Sequence, residues 1–152
     1  MPKIASKTSS AASKPRIRDN AWLFGRLNIL WSKNFTDVPQ ENLVLIRFGR
    51  FSKLRLGSIK LDRDSGKTYI TITGMFKDPK IPQGVVDHTI AHELCHYTHG
   101  FSSPLRRMHR FPHEGGVIKK EMENRGLIHL HYAYKEWVKS YKNQLRSQYK
   151  QR

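Results

Sequence analysis

The chain is nearly devoid of cysteine and poor in acid. Its 152 residues include one cysteine, Cys95, so no intramolecular disulfide can form and a disulfide-stapled secreted scaffold is excluded. A reducing, intracellular setting is the expectation, in the cytoplasm or at the nucleoid or nucleus. Asp and Glu number 12 against 28 Lys and Arg, a formal charge of +16. Such an excess predicts attraction to a polyanion, most often nucleic acid, and says nothing of fold. No apolar run approaches the ~20 residues that span a bilayer, and the N-terminus lacks the apolar core of a secretory signal. The length suits one domain with a real core and leaves no room for a second catalytic one.

What is present falls into three parts. Residues 1–18 carry five Lys and Arg and no acid amid Ser, Ala and Pro, which predicts a disordered basic arm. Residues 19–131 read as the folded domain. Residues 132–152 read as a basic amphipathic helix, with Tyr134, Trp137, Val138, Tyr141, Leu145 and Tyr149 at helical spacing beside Lys135, Lys139, Lys142, Arg146 and Lys150.

Within the domain, Trp22, Leu23, Leu27, Leu30 and Trp31 recur at three- and four-residue spacing, predicting a helix capped by Asp19 or Asn20. Apolar or alternating runs at 43–48, 54–61 and 67–73, with turn chemistry in Arg63-Asp64-Ser65-Gly66, predict a small antiparallel sheet of about three strands. A Pro- and Gly-rich loop follows, then a helix across "VVDHTIAHELCHYTHG". There Val86, Ile90 and Leu94 share one face while His88, His92, His96 and His99 share the other. Cys95 sits toward the apolar side and reads as a small buried hydrophobe. A loop with Pro104 and Pro112 leads to a short helix holding Val117, Ile118 and Met122 inward and ending at Gly126. One helix, a run of strands, then helices argues for an α+β fold.

The chemistry lies in His92-Glu93-Leu94-Cys95-His96, an H-E-x-x-H pattern on that helix. Histidines four apart project one turn apart on one face and can share a metal ion. Zinc suits them because it is tetrahedral, takes neutral imidazole, and in catalytic sites keeps a position open for water. Glu93, about 100° round the helix, stands beside the metal without ligating it, placed to take the proton of a metal-bound water that attacks an amide. Random order would yield the pattern in about one chain in sixty of this composition, so its helical context carries the weight. One zinc ion is therefore the expected cofactor, and it needs a third protein ligand. The candidates are His113, held rigidly between Pro112 and a helix; His109, in a basic loop with Arg106 and Arg107; and His99, one turn beyond His96. The metzincin register is excluded, since it requires glycine where this chain has His99 and histidine where it has Ser103. His88, one turn upstream, lines the cleft or faces solvent.

An N-terminal helix, a small sheet, "VVDHTIAHELCHYTHGF", a loop and a histidine leading into a helix together resemble the SprT-like family of minimal zinc metalloproteases, which includes the Spartan and Wss proteases that digest proteins crosslinked to DNA. The resemblance covers roughly Ala21 to Leu127 and is specific at the H-E-x-x-H helix. It implies His92 and His96 as helix ligands, Glu93 as catalytic base, and His113, followed four residues later by Val117, as third ligand. The loop before His113 departs from the family in its arginine content.

Two basic features are candidates for nucleic-acid contact: Arg47, Arg50, Lys53 and Arg55 around Phe48 and Phe51, and Lys139, Lys142 and Arg146 on the last helix, with Arg106 and Arg107 a further pair. Phe48 and Phe51 themselves read as core. The expectation is a monomeric zinc endopeptidase acting on DNA-associated protein. The competing readings are a nucleic-acid-binding module with a structural or vestigial zinc, and a zinc peptidase unrelated to DNA.

Overall fold

A computed structural model describes residues 17–150, with side chains through Ser147. Most of the basic arm, and the side chains of Tyr149 and Lys150, lie outside the described residues.

Helix α1 (Asn20–Asn34) begins as its sequence predicts, with the Asp19 carboxylate accepting the Trp22 N–H as N-cap. Leu23, Leu27 and Leu30 form its buried stripe. Arg18 belongs to the folded unit rather than to the arm. Its guanidinium donates to the backbone carbonyls of Phe76, Asp78 and Ile81 at 2.7–3.1 Å, which a side chain counted only as basic charge gave no reason to expect.

Strands β1 (Val44–Phe48), β2 (Gly57–Leu61) and β3 (Thr68–Ile72) form one sheet in the order β1-β3-β2. The sheet is mixed, not antiparallel. β2 and β3 make the antiparallel hairpin that the Asp62–Gly66 turn dictates, whereas β1 pairs parallel with β3. Each run had the length and residue types of a strand. The pairing was fixed elsewhere, because the chain leaving β1 passes across the sheet end through the 49–56 loop before β2 begins. β2 is consequently an edge strand.

Helix α2 (Gln83–Thr98) buries Val86, Ile90 and Leu94 as expected, together with Val85, Ala91, Cys95 and Tyr97. It packs on α1, β2, β3 and the two helices that follow it, most closely the last, and leaves His92 half-buried. The bidentate pair of Arg26 on Asp87, at 3.0 and 2.8 Å, ties α1 to the first half of α2. Helix α3 (Val117–Asn124) turns Ile118 and Met122 inward. Helix α4 (Ile128–Lys150) starts inside the stretch assigned to the domain: Leu130 is buried, and Tyr134, Trp137 and Tyr141 pack against the core. The architecture is α+β, with helices against one face of a three-stranded sheet. Among the described residues no helix is long and apolar enough to cross a membrane.

Candidate metal centre

His113 stands against His92 and His96 on α2. The Nε2 atoms of His92, His96 and His113 lie 3.1, 3.1 and 3.2 Å from one another. A four-coordinate tetrahedral ion with bonds of about 2.0–2.1 Å to imidazole sets its donors about 3.3 Å apart, so the three nitrogens already stand near the spacing of three vertices. Their protonation supports the same conclusion. Burial first, then the neighbouring imidazoles, pushes His92 down to about 4 and His96 to about 3, so both are neutral at physiological pH and present lone pairs to a common point. Three imidazole nitrogens facing one another at this spacing suit a shared cation. These three residues could hold a metal ion.

Two local devices deliver His113. α2 ends at His99, and Gly100 turns the chain with φ +81°, letting the Phe101 N–H reach the His96 carbonyl at 2.9 Å. The 100–113 loop then folds back, with Met108 N–H donating to the His99 carbonyl at 2.9 Å. At its far end Glu114 accepts the Phe111 N–H through Oε1 at 2.7 Å, fixing the turn on which His113 sits just ahead of the 3₁₀ turn Glu114–Gly116 and α3. His92 is half-buried, His96 buried and His113 exposed, so the cluster opens to solvent on the His113 side.

The three candidates for third ligand thus separate. His113 joins the cluster. His99 is fully buried, and its Nε2 is 2.8 Å from Glu121 Oε1, within a network that continues from Glu121 to Arg125 and on to Asp37. His109 packs edge-on against the His99 ring, centroids 4.6 Å apart. His88 is buried and stacks flat on Tyr134 at 4.5 Å.

Glu93 is 4% exposed and lines a cleft of about 340 Å³ with Arg55, Gly57, His88, His92 and Tyr134 among its walls. Burial raises its carboxyl to about 7, opposed by the positive charge of Arg55. A carboxylate balanced near neutrality can take a proton and return it. Arg55, expected to meet nucleic acid, therefore stands at the cleft. Nothing in the sequence marks Gly57 and Thr89 as cleft residues, and Tyr134 stands out there for its helical spacing alone, because a strand glycine, a helix threonine and a tyrosine carry no chemical signature of their own.

The other cationic candidates do not share one element. Arg47 lies on the sheet face away from the helices, its guanidinium 5.3 Å above the Tyr69 ring. Arg50 and Lys53 are exposed in the 49–56 loop; Arg106 and Arg107 are exposed in the 100–113 loop, with Arg107 over the Phe101 ring. Lys139, Lys142 and Arg146 are exposed on the side of α4 away from Trp137 and Tyr141. Phe48 packs against the core as expected, but Phe51 is 63% exposed. Comparison of the chain with protein-family models, with curated proteins and with solved structures finds no match.

Proposed function

We propose that this chain is a zinc-dependent endopeptidase that acts on proteins associated with DNA. One observation carries the reading: three imidazole nitrogens converge within 3.2 Å while the next residue on the helix, Glu93, is a buried carboxyl poised near 7 in the adjoining cleft. A purely structural metal has no use for such a base beside it. All-imidazole donors at tetrahedral spacing favour zinc over the oxygen-seeking cations. Bound there, zinc supplies Lewis acidity, polarising a carbonyl and lowering the pKa of a water toward ~7.

The chain's own residues supply the rest. Glu93 takes a proton from water entering the cleft and returns it to the departing amine. Arg55 opposes the rise in the carboxyl's pKa and keeps its ionised form available. Among the described residues β2 pairs with β3 alone, so apart from the Ile59 carbonyl, which accepts the Ser102 hydroxyl, its outer edge offers backbone groups to an extended polypeptide, and Gly57 brings that edge against Glu93. A chain laid along an edge strand is cut internally, which supports an endopeptidase. The +16 charge and the resemblance of the H-E-x-x-H helix to SprT-like proteases support a substrate held on DNA.

The test is Glu93→Gln. It is expected to retain one zinc per chain and to lose hydrolysis of a denatured protein substrate by 10²-fold or more, within the usual range of about 10²–10⁴ for a general base. Hydrolysis at the native rate by this variant sinks the reading.

A further inference from the structure

We propose that Tyr134 is a catalytic residue of the metal cleft, its phenol donating a hydrogen bond to the scissile carbonyl oxygen as negative charge gathers there. The role deepens the peptidase reading and rests on it.

Three elements build the cleft. The 49–56 loop and the head of β2 supply Leu54, Arg55, Leu56 and Gly57, α2 supplies His88, Thr89, His92 and Glu93, and α4 supplies Tyr134. The phenol thus shares one enclosure with a helix ligand and the buried carboxyl.

Tyr134 is held by its ring. It stacks on His88 with centroids 4.5 Å apart and planes within 6°, and His131, three residues before it on α4, approaches the same imidazole at 6.1 Å. His88 is buried, and its ring stands 6.3 Å from that of His92, one turn further along α2. A single buried imidazole therefore fixes the phenol ring relative to a metal ligand. The two helices concerned, α2 and α4, are the most closely packed pair of helices in the fold.

The stack uses the ring face and leaves the hydroxyl free. The Tyr97 hydroxyl donates to Asn42 Oδ1 at 2.6 Å, whereas that of Tyr134 meets no hydrogen-bond partner among the described residues. A tyrosine O–H drawn out of water usually finds a partner. Half-buried in a cleft of about 340 Å³, this one finds it in what enters the cleft.

Amide hydrolysis calls for such a donor. As water adds to the carbonyl carbon, an electron pair moves onto the carbonyl oxygen, and a donor already in position stabilises that charge without reorganising. Arg55 also lines the cleft, but it is exposed and its charge is screened by water. Tyr134 combines a fixed ring with a free O–H. It gives a hydrogen bond and keeps its proton, so Glu93 remains the group that carries protons.

The experiment compares the zinc-loaded full chain with Tyr134→Phe, which keeps the stacking ring and removes only the hydroxyl. Steady-state hydrolysis of a denatured protein is measured, and calorimetric titration follows binding of N-phosphoryl-leucinamide, whose tetrahedral anionic oxygens stand for the charged carbonyl oxygen. In Tyr134→Phe kcat is expected to fall about 10²–10³-fold, as for one lost oxyanion donor, with KM unchanged within about two-fold. The phosphoryl ligand is expected to bind at least about ten-fold more weakly. Zinc content and the urea midpoint should stay native, a split that a merely structural ring does not produce. Native kcat or native affinity for the phosphoryl ligand in Tyr134→Phe overturns the proposal, as does a loss of either that comes with lost zinc or a lower urea midpoint. A chain that binds the ligand through Tyr134 yet cleaves no protein overturns the peptidase reading alone, and an active peptidase indifferent to Tyr134→Phe overturns this role alone. A native chain that neither cleaves nor binds overturns both.

Discussion

Gly57 and Glu93 face each other so closely that a β-carbon on Gly57 would lie 3.0 Å from Glu93 Oε2 and 2.6 Å from Thr89 Cγ2. The absent side chain lets the edge strand touch the buried carboxyl. Gly57→Ala is expected to displace Glu93 or shift β2, and displacements near 1 Å at a reacting group cost on the order of 10²-fold in rate. Zinc content should stay at the native level, because the atoms nearest the added methyl belong to Thr89 and Glu93. A Gly57→Ala chain with native activity would show that the β2 edge and Glu93 do not act together.

His113 and His99 are both one loop or one turn from the helix ligands, and they divide the work of metal binding and folding. His113→Ala is expected to lose zinc, as are His92→Ala and His96→Ala, when metal content is measured after dialysis. His99→Ala should keep zinc and instead lose about 2–4 kcal/mol of unfolding free energy, from a vacated core position and the lost hydrogen bond to Glu121 Oε1. His109→Ala should keep both within error. Zinc loss in His99→Ala with native stability would reverse the assignment.

These roles show how far local pattern reaches. The H-E-x-x-H helix was legible because Val86, Ile90 and Leu94 recur at helical period, and period fixes both the buried face and the histidine face. His113 was legible as a candidate because Pro112 and the following helix hold it. What separated it from His99 was a carboxylate on α3, Glu121, 22 residues away in sequence, and no spacing rule links the two. The parallel pairing of β1 with β3 was hidden for the same reason, since strand runs carry no label for their partners. Phe51 was misjudged because an aromatic ring is buried more often than not, and only its loop's hydrogen bonds to Thr73 and Gly74 hold it outward. Arg18 looked like one more charge of the arm, yet three backbone carbonyls hold it.

The metal-free protein should lose stability in mild acid. His88 is buried against Tyr134, and burial first, then the imidazoles of His92 and His131, lowers its folded pKa to about 3 from an ordinary 6.5. Below 6.5 the unfolded chain takes up a proton that the folded chain refuses, so unfolding gains as pH falls. The contribution is fully present above 6.5 and drains away between 6.5 and 3, at about 1.4 kcal/mol per pH unit for the one group. Urea unfolding of the chelator-treated protein at pH 7 and pH 5 reads the sum, to which the depressed His92 and His96 add and which the raised Glu93 opposes. His88→Gln should reduce that pH dependence by the share of one histidine, and an equal slope in the variant would remove His88 from the account.

Gly100 tests whether the loop that carries His113 is built by its first turn. Its φ of +81° is a conformation that side chains resist, and an added β-carbon would lie 2.4 Å from the Arg106 carbonyl oxygen and 2.5 Å from its carbon. Backbone atoms cannot swing aside as a flexible side-chain tip does. Gly100→Ala must therefore push the returning 100–113 strand of chain away from the end of α2, loosening the Met108 to His99 hydrogen bond and, further along, the position of His113. Strain at such a position costs about 1–3 kcal/mol. Zinc affinity, measured by competition with a chromophoric chelator, is expected to fall by at least ten-fold while His92 and His96 remain in place on an intact helix. Tight zinc binding in Gly100→Ala, with unfolding free energy lowered by the same 1–3 kcal/mol, would mean that the turn supports the fold and that His113 is held instead by Glu114 and the start of α3.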